Sequence, residues 1–159
     1  MKLEKYTTEA SINKLTYIFE SIGQKTIVKV VEYSKLNPAF IGLPSEIKVY
    51  NLGFGDWDDA IKDFNDQITS NNGDTDKVLA TVANTTNEFW EEYPDAFLYF
   101  KGSQPLGEKP LRTRLYQMRM NRYFTEINKV ADIFGLTDTG WEIFVVDKNY
   151  IAFLISQKD

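Results

Sequence analysis

The chain has 159 residues, 43% of them hydrophobic and 14% aromatic, a net charge of −5, and neither cysteine nor histidine. A chain of this length buries roughly 70% of the surface its unfolded form exposes, which suits a single globular domain over residues 1–159 held by packing alone. Without cysteine there is no disulfide framework, thiolate nucleophile or iron–sulfur site; without histidine there is no Ser–His–Asp triad and no imidazole-bound metal, and no cofactor is expected.

Met1 to Ala10 contain no apolar stretch that could form a signal-peptide core, and the longest apolar run, Tyr150 to Ile155, is far short of the roughly 20 residues of a membrane helix. A cytoplasmic protein without membrane contact is expected. Leu15 to Phe19 alternates with strand period, and after Ser21-Ile22-Gly23-Gln24 comes the β-branched run Thr26 to Tyr33, so the two predict a hairpin. Asn37-Pro38 to Pro44 predicts a loop. Glu46 to Leu52 alternates again and predicts a third strand, ended by Gly53-Phe54-Gly55-Asp56. Ile61, Phe64 and Ile68 recur at helical spacing and predict a short helix over Asp58 to Ile68.

Ser70-Asn71-Asn72-Gly73 is a turn signal, after which Asp74 or Thr75 caps a helix through Glu92, stopped by Pro94. Val78, Leu79, Val82, Thr86, Phe89 and Tyr93 form its apolar stripe. Ala96 to Phe100 predicts a central strand buried on both faces. Gly102-Ser103 opens a loop through Pro110, and a second helix is predicted from Leu111 to Phe134 with Gly135 at C′. Tyr116, Met120, Tyr123, Phe124, Ile127, Val130, Ala131 and Phe134 would form its core face. Trp141 to Val146 and Tyr150 to Ile155 predict a C-terminal hairpin joined by Asp147-Lys148-Asn149. The order β-β-β-α-β-α-β-β predicts an α+β fold, a mainly antiparallel sheet with two long helices packed on it.

Charge is unevenly spread. All four arginines, Arg112, Arg114, Arg119 and Arg122, fall within eleven residues, and Lys109 to Arg122 carries five positive charges and no acid, which leaves −10 on the remainder. Asp56 to Asp76 is the opposite pole, at −6. Asp56, Asp58 and Asp59 do not match a calcium loop, since Ala60 occupies the fifth position and no glycine or closing glutamate follows; a solvated acidic loop is expected there, and no metal. In Gly53-Phe54-Gly55 the third glycine of a dinucleotide loop is replaced by Asp58.

Three stretches together, Asn51-Leu52-Gly53-Phe54-Gly55-Asp56, Thr69 to Ala83 and Arg112-Thr113-Arg114-Leu115-Tyr116-Gln117, resemble a family of small Bacteroidota proteins classed as a domain of unknown function. The resemblance runs from Tyr17 to the C-terminal hairpin and implies no activity. This chain interposes Gln104 to Leu111 where the family passes almost directly from the Gly-Ser pair to the Arg-Thr-Arg motif.

Arginine offers a planar fork suited to phosphate and carboxylate, unlike the point charge of lysine. At 100° per residue from Arg112, Arg119 lies at about −20° and Arg122 at about −80°, along one flank of the buried face, while Arg114 at about 200° points away. Gly102, Ser103, Arg112, Thr113, Arg114, Tyr116, Arg119 and Arg122 therefore form a candidate anion site. The expected function is a non-catalytic binding domain for an anionic partner: nucleic acid, nucleotide or acidic protein. The alternatives are a histidine-free nuclease of the toxin type, using Tyr116, Tyr123 and Glu126 with Arg112, Arg119 and Arg122, or a structural partner in an oligomer. In the simplest structural account the arginines neutralise the chain's own aspartates or pair locally, as Arg122 with Glu126.

Overall fold

The computed structural model describes residues 4–60, 62–65, 72–101 and 111–158, with the backbone alone for 63–65 and 111–116. The fold is α+β, a mostly antiparallel sheet with two helices of 18 residues. The chain packs as two compact units, Met1–Ser34 with Leu52–Pro94, and Lys35–Asn51 with Asp95–Asp159.

In the first unit the strand order is β1 (Glu9–Ala10), β2 (Thr16–Ile22), β3 (Thr26–Leu36), β4 (Val49–Asp58), with β5 (Asp63–Asn65) paired on β4. The predicted hairpin is present, β2 antiparallel to β3 from Thr16↔Glu32 to Ile22↔Thr26. Alternation turns Tyr17, Phe19 and Ser21 inward and leaves Ile18, Glu20 and Ile22 exposed. Helix α1 (Thr75–Glu92) begins and ends where predicted and buries Val78, Val82 and Phe89, together with Thr81, Thr85, Thr86 and Trp90. Phe89 stacks on Tyr33 at 4.4 Å and on Tyr93 at 4.9 Å, and Tyr17 meets Tyr33 edge-on at 5.8 Å. Thr85 and Thr86 satisfy the Tyr33 hydroxyl, lying 2.7 and 3.1 Å from its oxygen, whereas the Tyr17 hydroxyl in the same layer is buried without a hydrogen-bond partner among the described residues. Burial pushes the Tyr33 phenol up to about 12 against those bonds.

The expected helix over Asp58 to Ile68 is not formed where the chain is described. Strand β4 runs on through Gly53 and Gly55 to Asp58, and β5 folds back on it with Asp56↔Asn65 and Asp58↔Asp63. Lys62, at φ +54°, makes the reversal in the left-handed region. Ladder hydrogen bonds outweighed the helical spacing of Phe64; Ile61 and Ile68 lie outside the described residues.

In the second unit the order is β4, β6 (Phe97–Phe100), β9 (Phe153–Gln157), β7 (Ala131–Thr137), β8 (Gly140–Ile143). Strand β6 is central as expected, parallel to Val49–Asn51 of β4 and antiparallel to β9, although only Leu98 is fully buried. Helix α2 spans Leu111–Asn128, six residues short of the predicted end. Residues 131–137 are strand β7 instead, burying Ala131, Ile133 and Gly135 on one face. Ala131 and Phe134 fit a helical stripe as well as a strand, so the helical pattern ran on into β7; alternation within the sheet decided the outcome. Val130, expected in the core, is 58% exposed. The predicted C-terminal hairpin is also replaced: β8 pairs with β7 through the turn Thr137↔Gly140, and β9 pairs with the other edge of β7.

Gly135 is no helix cap. It lies under the Tyr150 ring, into which a Cβ would project. Around it Met120, Ile133, Phe144, Tyr150 and Phe153 form the core, with Phe100, Phe124, Ile127 and Ile155 packed against them. The Trp141 indole N–H donates to the Ile41 carbonyl (2.7 Å), fixing β8 to the 3₁₀ turn Pro38–Ile41. Gly135→Ala is expected to cost about 1–3 kcal/mol through overpacking against Tyr150. A urea midpoint equal to that of the unsubstituted chain would contradict this packing.

Candidate functional site

The structure brings together a polar cluster in the first unit that the sequence did not single out. Strand parity places Lys29 on the same face of β3 as Val31 and Tyr33, where it is 4% exposed. A lysine ammonium in such a place needs a carboxylate. Asp56 of β4 supplies it, itself 7% exposed and in direct contact with Lys29 Nζ. Asp56 is therefore a buried ion-pair partner, not part of a solvated acidic loop.

Asp74 occupies the N-cap position of α1 but makes no side-chain cap bond. Its Oδ2 accepts from the hydroxyls of Ser21 and Tyr6, both at 2.5 Å. The Tyr6 oxygen in turn accepts from Ile22 N–H at 3.0 Å. Burial raises the affinity of the Asp74 carboxyl for its proton, but the two hydroxyl bonds, with Lys29 nearby, outweigh it and hold the group below the usual carboxylate range. Buried Asn72 closes the arrangement. Its amide donates to the carbonyls of Lys25 (2.7 Å) and Ser21 (3.2 Å), while its oxygen accepts from Lys25 N–H (3.0 Å). Gly23 is required at the hairpin because a Cβ there would run into the Asn72 backbone carbonyl.

Two of the three recognised stretches thus meet here, one through Asp56 and the other through Asn72 and Asp74. Each carboxylate is occupied by a neighbour, and Ser21 is fully buried. The arrangement ties the β2–β3 hairpin to β4 and to the start of α1; it offers no open nucleophile. The legible signal was Lys29 at a core position of a β-branched strand, and Ser21 in step with Tyr17 and Phe19. Trp57 Nε1 donates to Asp59 (2.8 Å) and Ala60 N–H to Asp58 (2.9 Å), closing the turn after β4. Among the described residues no three acids are grouped as a metal site would need.

The third stretch lies on α2. Gly102 and Ser103 are outside the described residues, and Arg112, Thr113, Arg114 and Tyr116 are placed by backbone alone, in the first two turns of α2. Arg119 is half-buried and Arg122 exposed, its guanidinium 5.3 Å from the Tyr123 ring. Tyr123 itself leaves helical geometry (φ −109°, ψ 16°), so the single wheel drawn from Arg112 onward holds only up to Arg122. Tyr123 and Glu126, the remaining candidates for acid–base work, lie at and beyond this kink.

Fold and site define a small α+β domain in which the buried polar residues are structural and the arginines are gathered on one helix. The chain belongs to a family of unknown function, DUF6934, whose model matches residues 2–158. No curated protein and no solved structure matches it. Among the described residues no helix is long and apolar enough to cross a membrane.

Lys29→Met alone is expected to cost about 3–5 kcal/mol by leaving Asp56 buried and unpaired, and the double change Lys29→Met/Asp56→Leu to recover most of that loss. Urea unfolding of the three chains checks it; a single substitution as harmless as the double would refute the pair's role. For Asp74 the folded carboxyl titrates below its unfolded value, near 3.9. Its stabilisation is therefore complete above that pH and is lost as pH falls through the lower, folded value. The stability gap between the unsubstituted chain and Asp74→Asn is expected to be widest near neutrality and to close on acidification, as measured by urea midpoints across pH 2.5 to 7.

Proposed function

We propose that the protein is a non-catalytic binding domain that engages an anionic partner through α2. The observation that carries this is the confinement of every arginine in the chain to that helix, with no acid between Lys109 and Arg122. Random placement on an acidic chain would scatter them, and lysine, used everywhere else, would serve solubility as well. The chemistry supports a planar oxyanion: phosphate, or carboxylate, gripped by guanidinium forks from successive turns. The same reading places the domain in the cytoplasm of a Bacteroidota cell, where a cysteine-free chain needs no oxidising compartment.

Fluorescence anisotropy at low salt tests this with short RNA and DNA, a nucleotide panel and polyglutamate. Saturable binding of at least one probe is expected, weakened at least about tenfold in Arg112→Ala/Arg119→Ala and falling steeply with added salt. Failure of all probes to bind, or binding indifferent to the double substitution, overturns it.

A further inference from the structure

We propose that the open edge of β8 pairs antiparallel with β8 of a second copy of this chain, setting Trp141 against the partner's Ile143 and joining the two sheets into one. This goes beyond the anion-binding reading and does not rest on it.

The backbone phase of β8 shows which groups are on offer. Phe144 N–H donates to the Ile133 carbonyl (3.0 Å), so the backbone of Phe144 faces β7, and strand parity turns that of Glu142 and Gly140 the same way. The N–H and C=O groups of Trp141 and Ile143 therefore point away from β7. Leu136, opposite Trp141, agrees with this phase, since its own N–H and C=O bond Ala152 and Ile151 on the far side. Strand β8 ends the strand order, and among the described residues no strand lies beyond it.

Such an edge is ordinarily blunted by lysine, proline or a bulge. Gly140-Trp141-Glu142-Ile143 contains no lysine or proline, and its register with β7 is unbroken. Its one charge is neutralised at home. Glu142 shares the α2 face with Phe144, which stacks on Phe124 at 5.7 Å, and its Oε2 accepts from Lys148 Nζ at 2.7 Å and from the Tyr150 hydroxyl at 2.8 Å. On the opposite face the register lines up Leu154, Phe134 and Ile143 across three strands, with Leu136 and Trp141 in the next row. Exposure rises along the first row: Leu154 is 3% exposed, Phe134 half-buried and Ile143 75% exposed. An apolar row is thus cut off at a hydrogen-bonding edge.

A second copy continues both rows and both ladders, because β8 is complementary to itself. With a two-fold axis at Glu142, Trp141 and the partner's Ile143 exchange two backbone bonds, and Ile143 and the partner's Trp141 two more. The row Leu154–Phe134–Ile143 then runs on into the partner's Trp141 and Leu136, with an aromatic side chain beside a β-branched one at the join. The two Glu142 carboxylates meet near the axis, each with its own Lys148, so the charges there sum to zero. Other symmetric registers lose this match. An axis at Trp141 sets Ile143 against Thr139 of the turn, and an axis at Ile143 sets Trp141 against Val145, whose N–H and carbonyl are taken by the Tyr150 oxygen (3.0 Å) and Lys148 N–H (3.2 Å).

Sedimentation velocity of the full chain over about 1–300 µM tests the pairing. A four-residue edge lies at the low end of specific interfaces, so a reversible dimer in the micromolar range is expected. Two copies of charge −5 repel, so the dimer should tighten as salt is added, opposite to the salt response of anion binding. Ile143→Pro removes an outward N–H without touching the β7 ladder, and Ile143→Lys puts a charge on the edge; each is expected to weaken association at least about tenfold. Ile12→Ser, at an exposed apolar residue of the first unit, should leave it unchanged. The chain has no cysteine, so a single one reports the register. Glu142→Cys, in an axial pair with Cα atoms about 4.5 Å apart, is expected to form an intermolecular disulfide at least about tenfold faster than Asp138→Cys in the exposed turn. A monomer throughout the range, association indifferent to both Ile143 substitutions or lost equally in Ile12→Ser, or a disulfide no faster at 142 than at 138 overturns the proposal.

Discussion

A lysine on the inner face of a β-strand sets the terms for the first unit. Lys29 is held inside by the same alternation that buries Val31 and Tyr33, and no rotamer of a strand residue exchanges one face for the other. Its charge requires Asp56, which fixes the inward parity of β4 and so turns Trp57, 41% exposed, outward. It also lies close enough to Asp74 to favour that carboxylate, which binds Ser21 and Tyr6 instead of capping α1. The N-terminus of the helix, the hairpin turn and the end of β4 are thereby linked through charge and hydrogen bonds, where a small domain would ordinarily use apolar packing. Such a network specifies its geometry more strictly than it stabilises it, because every member must be satisfied by the others.

Strand β2, with its clean period of two, and the β-branched strand β3 were legible from the sequence, as were the ends of α1, where Gly73 and Pro94 act as punctuation. Misreadings arose where two periods coincide or where tertiary pairing overrides a local pattern. Ala131 and Phe134 satisfy a helical stripe, yet Ala131, Ile133 and Gly135 also satisfy a strand face, and only the presence of β8 and β9 on either side decides between them. Gly135 read as a cap because glycine commonly ends helices; its actual role, room for the Tyr150 ring, depends on a residue fifteen positions away. Asp56 read as solvated because its neighbours are acidic, and nothing local shows that Lys29 faces it. The arginine helix was legible as composition, since residue type and spacing sufficed, but the kink at Tyr123 was not.

Polar chemistry in this protein is therefore divided by kind. In the first unit, the charged and hydroxyl groups around Lys29 and Asp74 are buried and mutually satisfied, so that Ser21, which might attract attention as a nucleophile, has its proton committed to Asp74 and no exposure. In the second unit the amides of Gln117 and Asn121 on α2 bind the backbone of Asp147, Lys148 and Tyr150 and hold that turn against the helix. Membership of DUF6934 extends over both units without adding an activity, so the functional argument has to come from which groups are accessible to a partner and which are not.

That distinction bears on what kind of partner an acidic protein with an arginine helix accepts. Long-range attraction cannot draw in a polyanion when the whole chain carries −5, because beyond about one Debye length the partner meets the net charge and not the local patch. At contact the balance reverses: a guanidinium beside an apolar side chain pairs with carboxylate in a locally desolvated setting, and the apolar area supplies affinity that the screened charge alone does not. Selectivity then comes from requiring both at once. A bare anion gains the guanidinium but no apolar area, an apolar segment gains the area but no charge pairing, and a segment bearing both recovers the full interaction. The acidic body, which weakens binding to nucleic acid, becomes the feature that excludes the wrong partners.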